Sequence, residues 1–185
     1  MKADSNEFAG NPKAAAPLPL DFGAAGKSKL AFQLKKILVP VDFSKCSTKA
    51  LQYAIPFARQ FGAELMLLHV LSPAIVLPTA EAAPQGVIQE SPAVARENLE
   101  ELRESIGQDI PSRSLLRNGS PHVEIIDAAK EMDIDLIILS THGHSGLTHI
   151  LLGATAERVV RRASCPVLIV REHEHDFITV TAAES

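Results

Sequence analysis

The sequence predicts an α/β protein in which a doubly wound, five-stranded parallel sheet carries helices on both faces. Short apolar runs rich in β-branched residues alternate with segments of helical periodicity. This alternation is typical of parallel strands joined by right-handed helical crossovers, and the runs are apolar throughout, as strands covered on both faces are. A length of 185 residues favours one domain, and 46% hydrophobic with 22% charged residues is ordinary for a globular protein.

The first β–α–β unit is the most regular part of the pattern. The run Lys36–Val41 predicts the first strand and Glu64–Val70 the second. Between them, apolar residues recur at helical spacing. Either Ser44 or Ser47 can cap the start of this helix, and Gly62 is placed to end it.

The remaining elements follow the same rhythm to the end of the domain. The next helix begins at Pro92 and is expected to bury an apolar stripe formed by Val94, Leu99, Leu102 and Ile106. The other predicted elements are a weak strand at Ser112–Arg117, a helix with Ser120 as N-cap and Pro121 at its first position, a strand at Ile134–Leu139, a helix at Ala154–Ala163 and a strand at Pro166–Val170.

Three segments fall outside this rhythm. Residues 1–34 contain Pro, Gly and small residues without a sustained period and are predicted to be a flexible N-terminal tail. Residues 172–185 are predicted to be a C-terminal tail, which leaves 35–171 as the folded domain. The connection Ser72–Ser91 is long for a compact domain, and such loops serve as lids, partner contacts or disordered insertions.

Composition excludes several classes of function. There are 18 basic and 22 acidic residues, so the formal net charge is −4, and 4% of the residues are aromatic. A binder of nucleic acid held by a basic surface is therefore not expected. No run approaches the ~20 apolar residues of a membrane span. Because two cysteines, Cys46 and Cys165, cannot build a disulfide framework, we expect a cytoplasmic protein.

The loops that follow the first and fourth strands contain the residues most suited to ligand binding. Asp42 follows the first strand, Ser140–Gly146 follow the fourth, and Gly153–Thr155 lead into a helix. A helix N-terminus offers unpaired N–H groups and partial positive charge, and glycine lets the backbone approach an anion closely. These loops therefore favour a phosphate group, although Gly, Ser and Thr also serve turns and helix caps in loops that bind nothing.

Three segments resemble the universal stress protein superfamily. They are Lys35–Ser44, reading KKILVPVDFS, Ala63–Val70, reading AELMLLHV, and Ile134–Val170, reading IDLIILSTHGHSGLTHILLGATAERVVRRASCPVLIV. The resemblance covers everything except the two tails. It implies the strand order 3-2-1-4-5, with the reversal between strands 1 and 4. It also implies a homodimer formed through the last strand, Val167–Val170.

The ATP-binding branch of that superfamily is marked by Gly-x2-Gly-x9-Gly-(Ser/Thr). The aligned positions here are Ser140, Gly143, Gly153 and Ala154, so two positions match and two depart. Serine at the first position is small, and a tighter fit is expected rather than exclusion. Alanine at the last position removes one hydroxyl donor to phosphate. A hydrogen bond to a charged group contributes roughly 1.5–3 kcal/mol, so this loss weakens affinity by one or two orders of magnitude.

The resemblance also implies an adenosine pocket. Asp42 is the expected polar contact to base or ribose, the backbone of Val70 meets adenine, and Leu139 packs at its edge. In the phosphate loop His142 offers a pH-sensitive contact, and Thr155 carries a hydroxyl that the helical spacing is expected to turn elsewhere. The complete set of expected nucleotide-binding residues is Pro40, Val41, Asp42, Val70, Leu139, Ser140, His142, Gly143, Gly146, Gly153, Ala154 and Thr155.

The function expected from these residues is binding of ATP or a related adenine nucleotide, with or without Mg²⁺, by a stress-response sensor or regulator. Two alternatives stay open: a dimeric adaptor of the same fold that has lost the nucleotide, and a slow ATPase. No catalytic residues are assigned, because no Walker-type Gly-Lys-Ser/Thr motif is present. No protein-held metal is expected either, since the histidines of the chain lack tight ligand spacing with cysteine.

Overall fold

The computed structural model describes residues 33–72, 90–141, 152–171 and 178. Most of both predicted tails and most of the connection Ser72–Ser91 lie outside this part of the chain. The elements of the described part, in chain order, are β1 (Lys36–Pro40), α1 (Lys45–Phe61), β2 (Glu64–Leu71), α2 (Pro92–Glu104), β3 (Ser112–Asn118), α3 (Pro121–Glu131), β4 (Leu136–Ser140), α4 (Ala154–Arg162) and β5 (Val167–Val170).

The five strands form one parallel sheet in the order β3-β2-β1-β4-β5, which confirms the predicted architecture and strand order. The central strand β1 pairs with β2 on one side and with β4 on the other. Its ladder with β2 ends at the pair of Pro40 with Leu68, and its ladder with β4 ends at the pair of Leu38 with Ile137. The β1–β4 ladder thus ends earlier along β1 than the β1–β2 ladder does, which leaves a gap between β1 and β4 at the point where the strand order reverses.

The core consists of one cluster on each face of the sheet. Side chains of a strand point alternately to the two faces, so Ile37 and Val39 of β1 join one cluster while Leu38, between them, joins the other. Helices α1 and α2 cover the first cluster, and α3 and α4 cover the second. Burial of each such aliphatic side chain contributes about 1.5–3 kcal/mol, and the pattern explains why the strands read as continuous apolar runs.

The ends of α1 follow the predicted signals. Ser44 is the N-cap, and its hydroxyl accepts a hydrogen bond from the backbone N–H of Ser47 at 3.2 Å. Gly62 adopts a left-handed conformation with φ of 64° and ends the helix, its N–H bonding to the carbonyl of Ala58. The structure thus decides between the two candidate caps: Ser44 caps the helix, and Ser47 lies inside it.

Two boundaries differ from the prediction by two residues, and other strand and helix ends differ by one. Helix α2 ends at Glu104, so Ile106 is buried in the turn that follows, and Val94 is 49% exposed because Ala95 and Leu99 form the buried face. Strand β4 begins at Leu136, two residues later than predicted. The reason is the C-terminal turn of α3, where Asp133 has a φ of 51° and the N–H of Ile134 bonds to the carbonyl of Ala129.

Two residues placed in the predicted tails lie against the domain. Leu34, at the end of the predicted N-terminal tail, is half-buried against the first core cluster, and Ile178 of the predicted C-terminal tail packs against the same cluster. Among the described residues, no helix is both long enough and apolar enough to cross a membrane.

Candidate functional site

A cavity of about 310 Å³ lies at the carboxyl ends of β1 and β4, at the gap in the sheet. Parallel α/β proteins bind ligands at this kind of position, because the strand order reverses there and the loops diverge. The structure brings nine of the twelve predicted site residues together in its lining: Pro40, Val41, Asp42, Val70, Leu139, Ser140, Gly153, Ala154 and Thr155. The other three, His142, Gly143 and Gly146, lie outside the described residues.

The turn after β1 holds the Asp42 carboxylate in a fixed position. Its Oδ1 accepts hydrogen bonds from the hydroxyl of Ser44 at 2.5 Å and from the backbone N–H of Ser44 at 3.1 Å. The N–H of Asp42 donates to Oγ of Ser47 at 3.3 Å. Because Ser44 also caps α1, the carboxylate is tied to the helix start, and its half-buried side chain borders the cavity in one orientation.

Strand β2 supplies backbone groups to the cavity through Val70. The N–H of Val41 donates to the carbonyl of Leu68 at 2.8 Å, so the backbone of Leu68 faces β1. Backbone direction alternates along a strand, and the backbone N–H and C=O of Val70 therefore face the same side, past the last pair of the β1–β2 ladder. A donor and an acceptor next to each other on one strand edge match the hydrogen-bonding edge of a planar base.

His69 is a residue of the cavity wall that the sequence analysis did not identify. It is 5% exposed, and its Nδ1 lies 2.8 Å from the carbonyl oxygen of Val41, which fixes the proton on that nitrogen. Its Nε2 lies 3.0 Å from Oε2 of Glu90, and its ring packs on Phe43 at 4.6 Å between centroids. The imidazole therefore holds the Val41–Phe43 turn in place through a hydrogen bond to Val41 and a ring contact with Phe43.

Strand β4 and helix α4 form the opposite wall. The N–H of Thr141 donates to the carbonyl of Val170 at 3.1 Å, and the N–H of Gly153 donates to the carbonyl of Thr141 at 2.9 Å. The two ends of the connection between β4 and α4, Thr141 and Gly153, are therefore hydrogen-bonded to each other beside the cavity. Gly153 is the N-cap of α4 and has no side chain with which to cap it, so the N–H groups of the first turn, beside the cavity, have no acceptor within the helix.

The lining also adds residues from other elements. Thr155 is among the lining residues. Helix α3 begins at the cavity as well, with Pro121 in its lining. The lining residues that sequence reasoning missed are Ser47, Leu68, His69, Pro121, Ile125, Thr141 and Ala156. Only the polar His69 within an apolar strand gave a signal in the sequence. Ser47, Pro121 and Ile125 reach the cavity through the packing of α1 and α3. The remaining three, Leu68, Thr141 and Ala156, lie within two residues of predicted site residues.

The cysteines lie away from this lining. Cys46 is buried in α1, and Cys165 is half-buried before β5. Burial, followed by the negative charge of Asp135, raises the pKa of the Cys165 thiol above its ordinary value, which makes this thiol less reactive. Among the described residues, no three His, Cys, Asp or Glu side chains come close enough together to hold a metal ion; His142, His144, His149, His173 and His175 lie outside them.

Two solved structures of nucleotide complexes share this fold. A universal stress protein in complex with cAMP is 22% identical, covers 76% of this chain and 98% of its own, and has a TM-score of 0.56. One from Archaeoglobus fulgidus in complex with dAMP is 24% identical, covers 75% of this chain and 98% of its own, and has a TM-score of 0.51. At these identities the two structures show a common fold.

Closer similarities come from sequence. Universal stress protein MJ0531 of Methanocaldococcus jannaschii is 37% identical over 75% of this chain and 82% of its own length. YxiE of Bacillus subtilis is 34% identical over 74% of this chain and 98% of its own. The structure of UspA from Lactobacillus plantarum is 26% identical, covers 76% of this chain and all of its own, and has a TM-score of 0.65. The family model described as the universal stress protein family matches residues 33–171. The chain belongs to the universal stress protein family.

Proposed function

We propose that this protein binds ATP or a related adenine nucleotide in the cavity between β1 and β4 and acts as a nucleotide-dependent regulator of a stress response. One observation carries the proposal. The fixed Asp42 carboxylate and the N-terminus of α4 border the same cavity. An acceptor suited to sugar hydroxyls thus lies across from donors suited to phosphate.

The adenosine half of the nucleotide lies between β1 and β2 in this proposal. The base is held by the backbone N–H and C=O of Val70, and its faces pack on Val41 and Leu139, which are 5% and 4% exposed. The Asp42 carboxylate accepts hydrogen bonds from ribose hydroxyls. A base held by a strand edge is oriented by two directional hydrogen bonds, which favours adenine over a base with the opposite donor and acceptor order.

The phosphate half lies over the start of α4. The first-turn N–H groups of residues 154–156 and the partial positive charge of the helix end stabilise the phosphate oxygens. Ala154 supplies its N–H but no hydroxyl, while Thr155, Ser140 and Thr141 are hydroxyl-bearing residues of the lining. Mg²⁺ arrives on the phosphate oxygens of the nucleotide, and the described lining offers it one carboxylate, that of Asp42.

The proteins named above support this proposal through their fold. Two structures of the same fold are complexes with adenine nucleotides, cAMP in one and dAMP in the other. Neither ligand is a triphosphate. These structures therefore support an adenine nucleotide as the ligand. The triphosphate is proposed because the N-terminus of α4 is suited to binding phosphate groups.

We propose in addition that the protein is a homodimer joined through β5. This strand pairs with β4 alone in the described part of the sheet, so its outer edge has no neighbouring strand there. Leu168 and Ile169 are half-buried within a single chain. An unpaired edge strand with apolar side chains is suited to pairing with a second copy.

The proposed function is tested by calorimetric titration of the full-length protein with ATP, ADP, AMP and GTP. We expect saturable binding of the adenine nucleotides with one site per chain. GTP should bind at least tenfold more weakly, because guanine reverses the donor and acceptor order at the base edge. Absence of saturable heat with every adenine nucleotide at millimolar concentration, in protein shown to be folded by circular dichroism, would overturn the proposal and favour the nucleotide-free adaptor.

A further inference from the structure

A group of cationic side chains lies where α3 and α4 pack together. His122 is in the first turn of α3, and Arg158 and Arg162 lie four residues apart on α4, which places them on one face of that helix. Helices α3 and α4 pack on the same core cluster, which brings the starts of the two helices to the same side of the sheet. Burial and then the positive charges of Arg158 and Arg162 lower the pKa of His122. We call His122, Arg158 and Arg162 the cationic rim.

The arginines of the cationic rim have no ion-pair partner within the described part of the chain. Their neighbour on the same helix, Arg161, pairs with Glu157 at 3.0 Å, and Arg59, Arg113 and Arg117 also form ion pairs. Arg158 and Arg162 are both exposed and lie one helical turn apart. Like charges at this spacing destabilise a helix slightly, and a bound anion removes that repulsion.

The cationic rim is next to the cavity. Pro121, which precedes His122, lines the cavity, and so does Ala154, four residues before Arg158 on the same face of α4. Helical side chains lean toward the N-terminus of their helix and cover the preceding turn. Arg158 therefore lies one helical turn beyond the lining residue Ala154, with its side chain directed toward that preceding turn.

The size of the cavity leaves part of a nucleoside triphosphate outside it. At about 310 Å³ it is at the lower end of the ~300–1,000 Å³ found for ligand pockets. If the adenosine group fills the space beside Val70 and Asp42, the distal phosphates extend past the first turn of α4. A chain of net charge −4 repels a polyanion at long range, so local positive charge is needed where those phosphates lie.

We propose that the cationic rim binds the distal phosphate groups of the nucleotide and makes the protein selective for polyphosphates over monophosphates. This inference rests on the proposed function and names the ligand class more closely. Guanidinium groups bind phosphate oxygens through charge-assisted hydrogen bonds. Arg158 makes the first such contact, and Arg162 and His122 add positive charge around it.

The test compares AMP, ATP and inorganic tripolyphosphate by calorimetry on the full-length protein and two variants. The first variant is the double change Arg158→Gln and Arg162→Gln. The second is Arg161→Gln, which removes one arginine from the same helix but one already paired with Glu157. Both change exposed residues, and unchanged thermal unfolding confirms that each variant is folded.

We expect the double variant to bind ATP and tripolyphosphate about tenfold more weakly, while its affinity for AMP stays within twofold of wild type. Arg161→Gln should change none of the three by more than twofold. Equal affinity of the wild-type protein for AMP and ATP, or equal losses for both in the double variant, would overturn the inference and leave the proposed function intact. Binding of tripolyphosphate but of no adenine nucleotide would instead overturn the proposed function, and with it the nucleotide assigned to the cationic rim.

Discussion

Ser140 and Ala154 are the residues at which this chain departs from the ATP-binding motif of its family, and both line the cavity. Serine adds a small side chain at the end of β4 where the motif has glycine. Alanine leaves the first turn of α4 with its N–H groups but without the motif's hydroxyl. The serine side chain narrows the cavity at the end of β4. The alanine removes one hydrogen-bond donor to phosphate.

The change Ala154→Ser should therefore tighten ATP binding. A hydroxyl at this position donates a hydrogen bond to a charged phosphate oxygen, and such a bond contributes about 1.5–3 kcal/mol, or roughly ten- to a hundredfold in affinity. Ser140→Gly, made in parallel, should change affinity by less than about threefold. Calorimetric dissociation constants for the two variants and the wild type decide the matter; equal affinity of wild type and Ala154→Ser would show that no phosphate lies at the start of α4.

The Cys165 thiol should react slowly with alkylating reagents in the folded protein. Its pKa is raised by burial and by the negative charge of Asp135. A raised pKa means that less of the reactive thiolate is present at any pH below it, so the pH–rate profile shifts upward from the midpoint of about 8.5 of a free cysteine.

This is measured with iodoacetamide in a Cys46→Ala variant, in which Cys165 is the one remaining cysteine of the chain. The urea-unfolded form of the same variant is the control. A folded-state midpoint at or below that of the unfolded form would contradict the account.

Single residues also mark the limit of what the sequence reveals. Asp42, Val70 and Gly153 follow from their places at strand and helix ends and from the family resemblance. His69 does not, because a histidine in an apolar strand is ambiguous until its ring nitrogens are seen to face Val41 and Glu90. Periodicity gives the face on which a side chain lies, but the hydrogen-bond partners come from other elements.

At the scale of elements, α1 is the scaffold of the Asp42 turn. Its N-cap, Ser44, is also the hydrogen-bond partner of the Asp42 carboxylate, so one residue determines both where the helix begins and how the carboxylate points. Gly62 fixes the other end of the helix at a φ of 64°. The sequence predicted the C-terminal end and narrowed the N-cap to Ser44 or Ser47, because cap chemistry is local.

Gly62→Ala should lower the free energy of unfolding by about 1 kcal/mol. An added Cβ at this position meets no atom within 4 Å, so the loss comes from the left-handed backbone alone. Gly62→Asn, which tolerates that conformation better, is the matched control and should lose less. Urea denaturation of the three proteins measures the effect, and a Gly62→Ala variant as stable as wild type would contradict the assignment of this cap.

Other boundaries were harder to predict. The apolar residue Ile134 belongs to the pattern of β4, but it lies in the turn of α3 because Asp133 adopts a φ of 51°. A non-glycine residue in this conformation leaves little signal in the sequence. In α2, Val94 fits the predicted stripe, yet the smaller Ala95 packs against the sheet. Periodicity thus finds the element, and close packing decides its register against the core.

At the scale of the whole molecule, the alternation of strands and helices predicts a parallel sheet but leaves the strand order open. The order β3-β2-β1-β4-β5 follows from the family resemblance and is confirmed by the structure. This order opens the gap between β1 and β4, and so the position of the cavity depends on a property that local patterns do not encode.

The proposed dimer gives a prediction at the same scale. The carbonyls of Pro166 and Val170 accept hydrogen bonds from β4, so the backbone of Ile169 faces the outer edge of β5. Ile169→Pro removes that outward N–H and should convert the dimer to a monomer in sedimentation equilibrium.

Ile169→Ala is the control for Ile169→Pro, because it loses side-chain packing to a similar extent and keeps the N–H; it should remain dimeric. A wild-type protein that sediments as a monomer at micromolar concentration would contradict the proposed dimer.

The most direct test of the central claim is a calorimetric titration of ATP into the wild-type protein, Asp42→Asn and Asp109→Asn. Both variants remove one negative charge, but Asp109 forms an exposed ion pair with Arg59 before β3, at the opposite end of the sheet. If the nucleotide occupies the cavity beside the Asp42 turn, Asp42→Asn weakens binding about tenfold or more while Asp109→Asn changes it less than twofold. Equal affinities for ATP in all three proteins would contradict the account.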